Sequence, residues 1–165
     1  MNRKEFVTKT GMAVASLALV PAGNIIARRS AQKVRLALIG VGLRGQNHLD
    51  LLLRREDVEL VAICDIEERM LSTARQMISK SGKKMPVVYT GDPYAWQKLV
   101  EKEKLDGVII STPWEWHREM IIGSLDAGLK YVATEVMLGI TLQDHWDVVK
   151  AAEKHKAHVM MLENV

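Results

Sequence analysis

Hydrophobic and polar positions alternate in a regular way along the chain from Lys33 onward. Short apolar runs are each followed by a segment in which apolar residues recur every three or four positions. A short run bounded by turn residues is typical of a strand buried on both faces, and the longer spacing is typical of an amphipathic helix. The pattern predicts six strands separated by five helices. The strand segments are VRLALIG, VELVAIC, PVVYT, DGVIIST, KYVATE and AHVMMLEN. The helix segments are QNHLDLLLRR, EERMLSTARQMISK, PYAWQKLVEKE, REMIIGSLDAG and TLQDHWDVVKAAEKH.

Capping residues mark several of the predicted helix ends. Asp92 is the expected N-cap of the third helix, with Pro93 at its favoured first position. Thr141 is the expected N-cap of the last helix. Gly82 and Gly128 follow the second and fourth helices, where glycine commonly ends a helix. These signals agree with the boundaries that the apolar pattern predicts.

Strict alternation of strand and helix predicts the architecture of residues 32–165. Parallel strands joined by right-handed crossovers are the economical arrangement for such a chain. The fold class is therefore α/β, with a doubly wound parallel sheet. In such sheets ligands bind beyond the carboxyl ends of the strands, where the strand order reverses. We expect the functional residues at that edge.

Residues 1–31 differ from the rest of the chain and are predicted to be an export signal and linker. They combine a basic start, an uncharged stretch over 10–27, and then small residues and charge. A proline, a glycine and an asparagine interrupt the apolar stretch, so no stable membrane span is expected. The start RKEFVTK resembles a twin-arginine signal with Lys4 in place of the second arginine. The predicted location is periplasmic, or cytoplasmic if the signal does not function. An ordinary secretory signal or an uncleaved anchor stays open.

Composition describes one ordinary globular domain. The chain has 165 residues, 48% of them hydrophobic, and a formal net charge of +3. Several basic residues lie near the amino terminus, which argues against a nucleic-acid-binding face. The single cysteine, Cys64, excludes an internal disulfide, and we expect a buried thiol. His48 and His145 lie singly in helices, and His155 and His158 bracket a helix-to-strand boundary, so no metal site is predicted.

A glycine pattern follows the first strand and opens the first helix. Gly40 permits a tight turn, Gly42 lets the main chain approach a pyrophosphate, and Gly45 allows close packing of helix on strand. The amino terminus of the helix would present free N–H groups and a positive dipole end to the phosphates. The arrangement predicts a dinucleotide-binding loop.

Asp65 ends the second strand, twenty residues after the last of these glycines. A carboxylate there accepts hydrogen bonds from ribose hydroxyls and repels a 2′-phosphate, which favours NAD over NADP. The alternative interpretation of Asp65 is a cap for the next helix. Arg44 would lie along the pyrophosphate or the adenine, or else be a solvated charge at the helix start.

Two tryptophans, a glutamate and a histidine follow the fourth strand in the segment STPWEWH. We predict that this segment is a loop over the cofactor pocket. Trp114 and Trp116 can stack on the nicotinamide or ribose and exclude water. His117 can donate a hydrogen bond to a cofactor or substrate oxygen. The alternative is that both indoles pack against the next helix and that His117 caps it.

The layout from Val34 to Val165 resembles the nucleotide-binding domain of the Gfo/Idh/MocA oxidoreductase superfamily. In that superfamily the fifth strand commonly ends in Glu-Lys-Pro, and the lysine assists hydride transfer. This chain reads Glu135-Val136-Met137 instead. Glycoside hydrolase family 109, the NAD-dependent α-N-acetylgalactosaminidases, shares the replaced lysine. The segments TPWEWH, EV and MMLEN are similar to its motifs, whereas Met137 departs from its proline.

The resemblance implies a Rossmann fold, an NAD cofactor and a particular set of contacts. The implied NAD contacts are Leu43, Arg44, Asp65, Trp114, Glu115, Trp116, His117, Glu135, Val136 and Asn164. Asn164 ends the predicted sixth strand and is either an amide near the nicotinamide or a turn residue. The implied mechanism is transient oxidation at C3 of the sugar, elimination and hydration, which is an exception to the paired-carboxylate scheme. Glu115 and Glu135 are therefore not expected to form a catalytic pair, and the catalytic residues are not identified.

The family builds its substrate wall from a second, sugar-binding domain, which the 165 residues do not include. We therefore expect an amino-terminal fragment that binds NAD weakly at best and hydrolyses little. The expected partner is a small-molecule glycoside, and a homo-oligomer is compatible with this interpretation. Two alternatives stay open: an NAD-dependent sugar or polyol dehydrogenase of the same superfamily, and a non-catalytic NAD-binding module.

Overall fold

The computed structural model describes residues 33–163. The predicted export segment and Asn164 lie outside the described residues. The elements in chain order are β1 (Val34–Ile39), α1 (Leu43–Leu53), β2 (Val58–Cys64), α2 (Glu68–Ser81), β3 (Val87–Tyr89), α3 (Ala95–Lys102), β4 (Gly107–Ile110), α4 (Trp114–Asp126), β5 (Tyr131–Glu135), α5 (Leu142–His155) and β6 (His158–Leu162). No helix within residues 33–163 has the length and hydropathy needed to cross a membrane.

All strand pairs in the sheet are parallel, and the strand order is β3-β2-β1-β4-β5-β6. β1 pairs with β2 on one side and with β4 on the other. The chain therefore winds outward from β1 in one direction and then outward from β4 in the other. The doubly wound parallel sheet predicted from the sequence is confirmed, and its switch point lies between β1 and β4.

Each face of the sheet carries its own hydrophobic core, because successive side chains of a strand point to opposite faces. In β1, Leu38 packs into one core with residues of α1 and α2. Ala37 and Ile39 pack into the other core, with Trp96 of α3 and Ile121 of α4. Full burial of one such aliphatic side chain contributes about 1.5–3 kcal/mol. The two cores explain why the strand segments read as continuous apolar runs.

Most of the predicted helix ends are confirmed. Thr141 caps α5 in a capping box, in which Thr141 Oγ1 accepts from Asp144 N at 3.1 Å and Asp144 Oδ2 accepts from Thr141 N at 2.8 Å. Gly82 and Gly128 follow α2 and α4 with φ of +71° and +97°. These values lie in the left-handed region that glycine adopts without a steric penalty.

The predicted start of the third helix is wrong by two residues. α3 begins at Ala95 and not at Pro93. Asp92 does accept a main-chain hydrogen bond, from Tyr94 N to its Oδ1 at 2.7 Å. It therefore caps a turn that precedes the helix, because Asp side chains readily close such local turns.

The aromatic segment after β4 is a helical turn and not the predicted loop. α4 begins at Trp114, with Pro113 at the N-cap position and a hydrogen bond from Trp116 N to Pro113 O at 3.0 Å. Glu115 lies in this first turn, where its negative charge is favourable beside the amino-terminal end of the helix dipole. The helix thus rigidly presents the residues that follow β4.

Candidate functional site

The glycine loop lies at the carboxyl edge of the sheet, next to the end of β4. Gly40 has a φ of +86°, and a Cβ placed on it would lie 2.7 Å from the main-chain carbonyl of Ser111. A Cβ on Gly45 would lie 2.0 Å from Gly40 O, so α1 and the loop pack too closely for any side chain. Gly42, at the N-cap of α1, has nothing within 4 Å of a Cβ position. It faces open space at a helix amino terminus, as a phosphate-binding position requires.

Asp65 joins the end of β2 to this loop. Its Oδ2 accepts from Val41 N at 2.7 Å, and its Oδ1 accepts from Glu67 N at 2.9 Å. The second bond closes a turn before α2, but the N-cap of α2 is Glu67, so the alternative interpretation of Asp65 as the helix cap is wrong. Each carboxylate oxygen can accept a further hydrogen bond, so these two contacts leave Asp65 able to accept from ribose hydroxyls. Asp65 also lines a cavity at the edge of the sheet.

The first cavity, of about 270 Å³, lies on the β2 side of the switch point. Gly40, Gly42 and Asp65 form its polar edge. Its other walls are largely apolar and include Ile66, Met70, Pro93, Trp96 and Trp116. Trp116 is supported by an edge-to-face contact with Tyr94, at a centroid distance of 5.6 Å. A slot with largely apolar walls and the carboxylates of Asp65 and Glu67 at its edge suits a planar base joined to a ribose.

The second cavity, of about 360 Å³, lies on the β5 side of the switch point. Ser111 and Thr112, at the end of β4, line both cavities. The other lining residues of the second cavity are Arg44, Trp114, Glu135, Val136 and Glu163. A dinucleotide laid across the end of β4 would therefore have one half in each cavity and its diphosphate at the start of α1.

The predicted site residues are divided between these cavities. Trp116 and Asp65 line the first cavity, whereas Arg44, Trp114, Glu135 and Val136 line the second. Leu43 and Glu115 are exposed at the starts of α1 and α4. The structure brings most of the predicted set to one edge of the sheet. Their contacts with NAD stay predictions.

His117 is fully buried, and main-chain carbonyls contact both of its ring nitrogens. Nδ1 lies 2.5 Å from the carbonyl oxygen of Met137, and Nε2 lies 2.8 Å from that of Thr112. A neutral imidazole has a single N–H, so it donates to one of these carbonyls at a time. The ring therefore ties the first turn of α4 to the segments that follow β4 and β5. His117 lies within α4, whose N-cap is Pro113, so the alternative that His117 caps this helix is wrong. A contact of His117 with a cofactor stays a prediction.

A buried carboxylate at the end of β5 connects that strand to α1. Glu135 is only 7% exposed, and its Oε1 accepts from Arg44 Nε at 2.8 Å and from His48 Nε2 at 2.5 Å. Burial by itself raises the pKa of Glu135, but the hydrogen bonds from His48 and Arg44 outweigh it, so the pKa lies below its usual value. Glu135 is therefore a carboxylate at neutral pH.

Sequence reasoning missed the role of His48, which it treated as a lone helix histidine. The available signal was its spacing of four residues from Arg44, which places both side chains on one face of α1. The partner itself could not be identified from a local pattern, because Glu135 lies 87 residues further along the chain.

Cys64 is buried at the end of β2, as predicted. Burial raises the pKa of its thiol to about 12, and the neighbouring charge of Asp65 adds to the increase. The thiol is therefore protonated and unreactive at neutral pH, because only the thiolate is a strong nucleophile. Residues 33–163 contain no cluster of three or more histidine, cysteine, aspartate or glutamate side chains suited to a metal ion.

Comparison with known proteins identifies the class of this domain. The sequence model of the Gfo/Idh/MocA oxidoreductase family, described as an NAD-binding Rossmann fold, matches residues 34–163. The chain belongs to this family, and NAD is the cofactor of its domain. The glycine loop, the acid after β2 and the two cavities fit such a nucleotide.

Curated relatives test the resemblance to glycoside hydrolase family 109. A glycosyl hydrolase family 109 protein from Stenotrophomonas maltophilia is 48% identical over 167 aligned positions, which cover 100% of this chain and 36% of that protein. An alpha-N-acetylgalactosaminidase from Shewanella oneidensis is 40% identical over 132 positions, covering 80% of this chain and 28% of that protein. The resemblance to family 109 is thus confirmed. The chain spans about a third of the length of these curated relatives.

Solved structures share the fold. Myo-inositol 2-dehydrogenase from Lactobacillus plantarum superposes with a TM-score of 0.66 at 26% identity, covering 79% of this chain and 36% of that one. The WlbA dehydrogenase from Chromobacterium violaceum, in complex with NADH and UDP-GlcNAcA, gives a TM-score of 0.67 at 28% identity, covering 79% and 35%. The described domain therefore shares its fold with part of these two dehydrogenases.

Proposed function

We propose that this chain forms the NAD-binding part of an NAD-dependent glycoside hydrolase that acts on α-N-acetylgalactosaminides. The observation that carries the proposal is Val136 in the wall of the second cavity. The resemblance places the lysine of the related dehydrogenases at this position. A valine has no proton to exchange with a substrate hydroxyl, so the usual acid–base group of a dehydrogenase is missing. The similarity to an alpha-N-acetylgalactosaminidase supports the same conclusion.

The residues of the domain would bind and orient the cofactor. The amino terminus of α1 and the open position at Gly42 would hold the diphosphate. Asp65 would accept from the ribose hydroxyls in the first cavity, where Trp116 would contact the base. Trp114 is 56% exposed beside the second cavity, so its indole is available to cover the nicotinamide half and exclude water.

Bound NAD would supply a reversible hydride acceptor: C3 of the sugar would be oxidised, elimination of the glycosidic oxygen and addition of water would follow, and return of the hydride to C3 would leave no net redox change. Glu135 would contribute as a fixed carboxylate. Its lowered pKa makes it a poor proton donor at neutral pH, which agrees with its exclusion as a glycosidase acid.

Turnover without added cofactor tests the proposal. The intact gene product, purified with the nucleotide it retains, is incubated with p-nitrophenyl α-N-acetylgalactosaminide. We expect release of nitrophenol with no net formation of NADH, because the hydride returns to the sugar.

The alternative is a sugar or polyol dehydrogenase, which the fold shared with myo-inositol 2-dehydrogenase supports. Accumulation of NADH with a free polyol, and no nitrophenol from the glycoside, would favour that activity. Retained NAD with neither product would leave a non-catalytic nucleotide-binding module.

A further inference from the structure

α1 sends two side chains to one oxygen atom at the end of β5. Arg44 and His48 lie one helical turn apart, and both contact Glu135 Oε1. The three side chains differ in their access to the second cavity. Arg44 and Glu135 line it, whereas His48 does not. The side chains of His48 and Glu135 are 13% and 10% exposed, so both are largely buried, and His48 differs in not lining this cavity.

The contact with Glu135 fixes the direction of the Arg44 guanidinium. Only Nε of Arg44 is engaged, and its two terminal nitrogens have no hydrogen-bond partner within residues 33–163. The side chain is 38% exposed at the mouth of the second cavity. Because a guanidinium is planar and rigid, a bond at Nε sets the direction in which the terminal N–H groups point. Arg44 is thus oriented in advance to donate to an anion.

His48 completes the support of the carboxylate. Glu135 is ionised and can only accept, so His48 Nε2 must be the donor. Removing that donor would leave Arg44 as the only side chain holding a buried carboxylate, at the cost of an unmade charge-assisted hydrogen bond. The carboxylate could then turn, and the guanidinium would lose its fixed direction.

We propose that His48 is a positioning residue for NAD binding, which fixes Glu135 and through it aims the terminal nitrogens of Arg44 at the diphosphate. The inference rests on the proposed use of Arg44 as a cofactor contact. His48 itself touches no part of the nucleotide. Its effect therefore depends on the presence of Arg44.

Calorimetric titration of the nucleotide-free intact gene product with NAD tests this role. We expect His48→Leu to raise the Kd for NAD about tenfold, which corresponds to about 1.4 kcal/mol. His48→Gln keeps an N–H donor at a similar reach, and we expect it to restore the Kd to within about threefold of the wild-type value. If His48→Leu does not fold, His48→Asn replaces it, because the shorter amide stops short of Glu135.

His155 provides a matched control. Its Nε2 lies 2.8 Å from Asp126 Oδ1, so it forms the same kind of contact outside both cavities. We expect His155→Leu to lower the Tm and to leave the Kd for NAD unchanged. An equal rise in Kd in both variants would mean that lost stability, and not positioning, causes the effect, which would overturn the proposal.

A double-mutant cycle separates the failure of this inference from the failure of the proposed NAD site. Arg44→Leu should itself weaken NAD binding, and adding His48→Leu to it should have little further effect. If Arg44→Leu leaves the Kd unchanged, the proposed use of Arg44 is wrong, and the inference fails with it. If Arg44→Leu weakens binding but His48→Leu does not, or acts equally with and without Arg44, only the positioning role is overturned.

Discussion

The glycines of the loop after β1 differ in the space around them. A side chain on Gly45 would meet the carbonyl oxygen of Gly40 at 2.0 Å, while one on Gly42 would meet no atom within 4 Å. Gly45 is therefore needed for the packing of the fold, whereas the space beside Gly42 is open to a ligand. The two alanine variants should separate stability from binding.

Gly45→Ala should destabilise the protein, because the new methyl group would displace main-chain atoms of Gly40, which cannot move as easily as a flexible side chain. We expect a loss of about 1–3 kcal/mol in the free energy of unfolding, the usual range for overpacking. Chemical denaturation of the nucleotide-free protein measures the loss. Gly42→Ala is the control and should unfold at nearly the wild-type denaturant concentration. Equal stability of the two variants would contradict the packing described at this loop.

Asp65→Asn should change the preference between nucleotides. The carboxylate would accept from the ribose of NAD and repel the 2′-phosphate of NADP, so removing its charge should lower the ratio of the Kd for NADP to the Kd for NAD. The ratio is informative because the asparagine amide keeps only one acceptor oxygen for Val41 N and Glu67 N, and this loss affects both ligands alike. Calorimetry with both nucleotides measures it, with Asp57→Asn at the other end of β2 as the control. An unchanged ratio would remove Asp65 from the proposed site.

The elements around the site show which features a sequence pattern can predict. Apolar periodicity predicts the strands and the five helices because the central strands are buried on both faces and each helix on one. The edge strands β3 and β6 are more exposed, but their segments are still rich in apolar residues. Local chemistry predicts the caps at Thr141, Gly82 and Gly128. The prediction failed at the start of α4, because the segment that contains Trp114 and Trp116 was interpreted as a loop and not as the first turn of the helix. Pro113 was the available signal, since proline is common at helix starts.

Contacts between distant elements could not be predicted in this way. The contact of His117 with the Met137 carbonyl and the hydrogen bond of His48 with Glu135 depend on how helices are placed on the sheet. No local spacing encodes the partner. The glycine loop and Asp65 were predictable because their chemistry is local to two strand ends.

The ion cluster between α1 and β5 predicts a specific acid sensitivity. The folded-state pKa of Glu135 is lowered, so its contribution to stability is present above the ordinary glutamate pKa of about 4.3 and is lost as the pH falls through the folded value. Glu135→Gln lacks this contribution. We expect the stability difference between wild type and Glu135→Gln to be largest near neutral pH and to shrink in acid, as measured by Tm against pH. A difference that grows on acidification would contradict the ionised state of Glu135.

At the scale of the whole chain, we propose that residues 1–31 direct export. The basic start and the uncharged stretch of this segment support the proposal. Fusion of residues 1–31 to a reporter that functions only after export in folded form should give periplasmic activity. Arg3→Gln combined with Lys4→Gln should abolish that activity, and a conservative Lys4→Arg variant should retain it. No periplasmic activity from the wild-type and Lys4→Arg fusions, or full activity from the Arg3→Gln/Lys4→Gln fusion, would contradict the proposal.

The domain as a whole presents two cavities on either side of the β1–β4 switch point, joined at the end of β4. The central claim is that one NAD molecule lies across both, with its diphosphate against Gly42. The most direct measurement is calorimetric titration of NAD into the nucleotide-free intact gene product, as wild type and as Gly42→Ala, together with the Tm of each. We expect the wild type to bind one NAD per chain, and Gly42→Ala to lose most of the affinity for NAD at a nearly unchanged Tm. Equal NAD affinity in the two proteins, or no binding by the wild type, would contradict it.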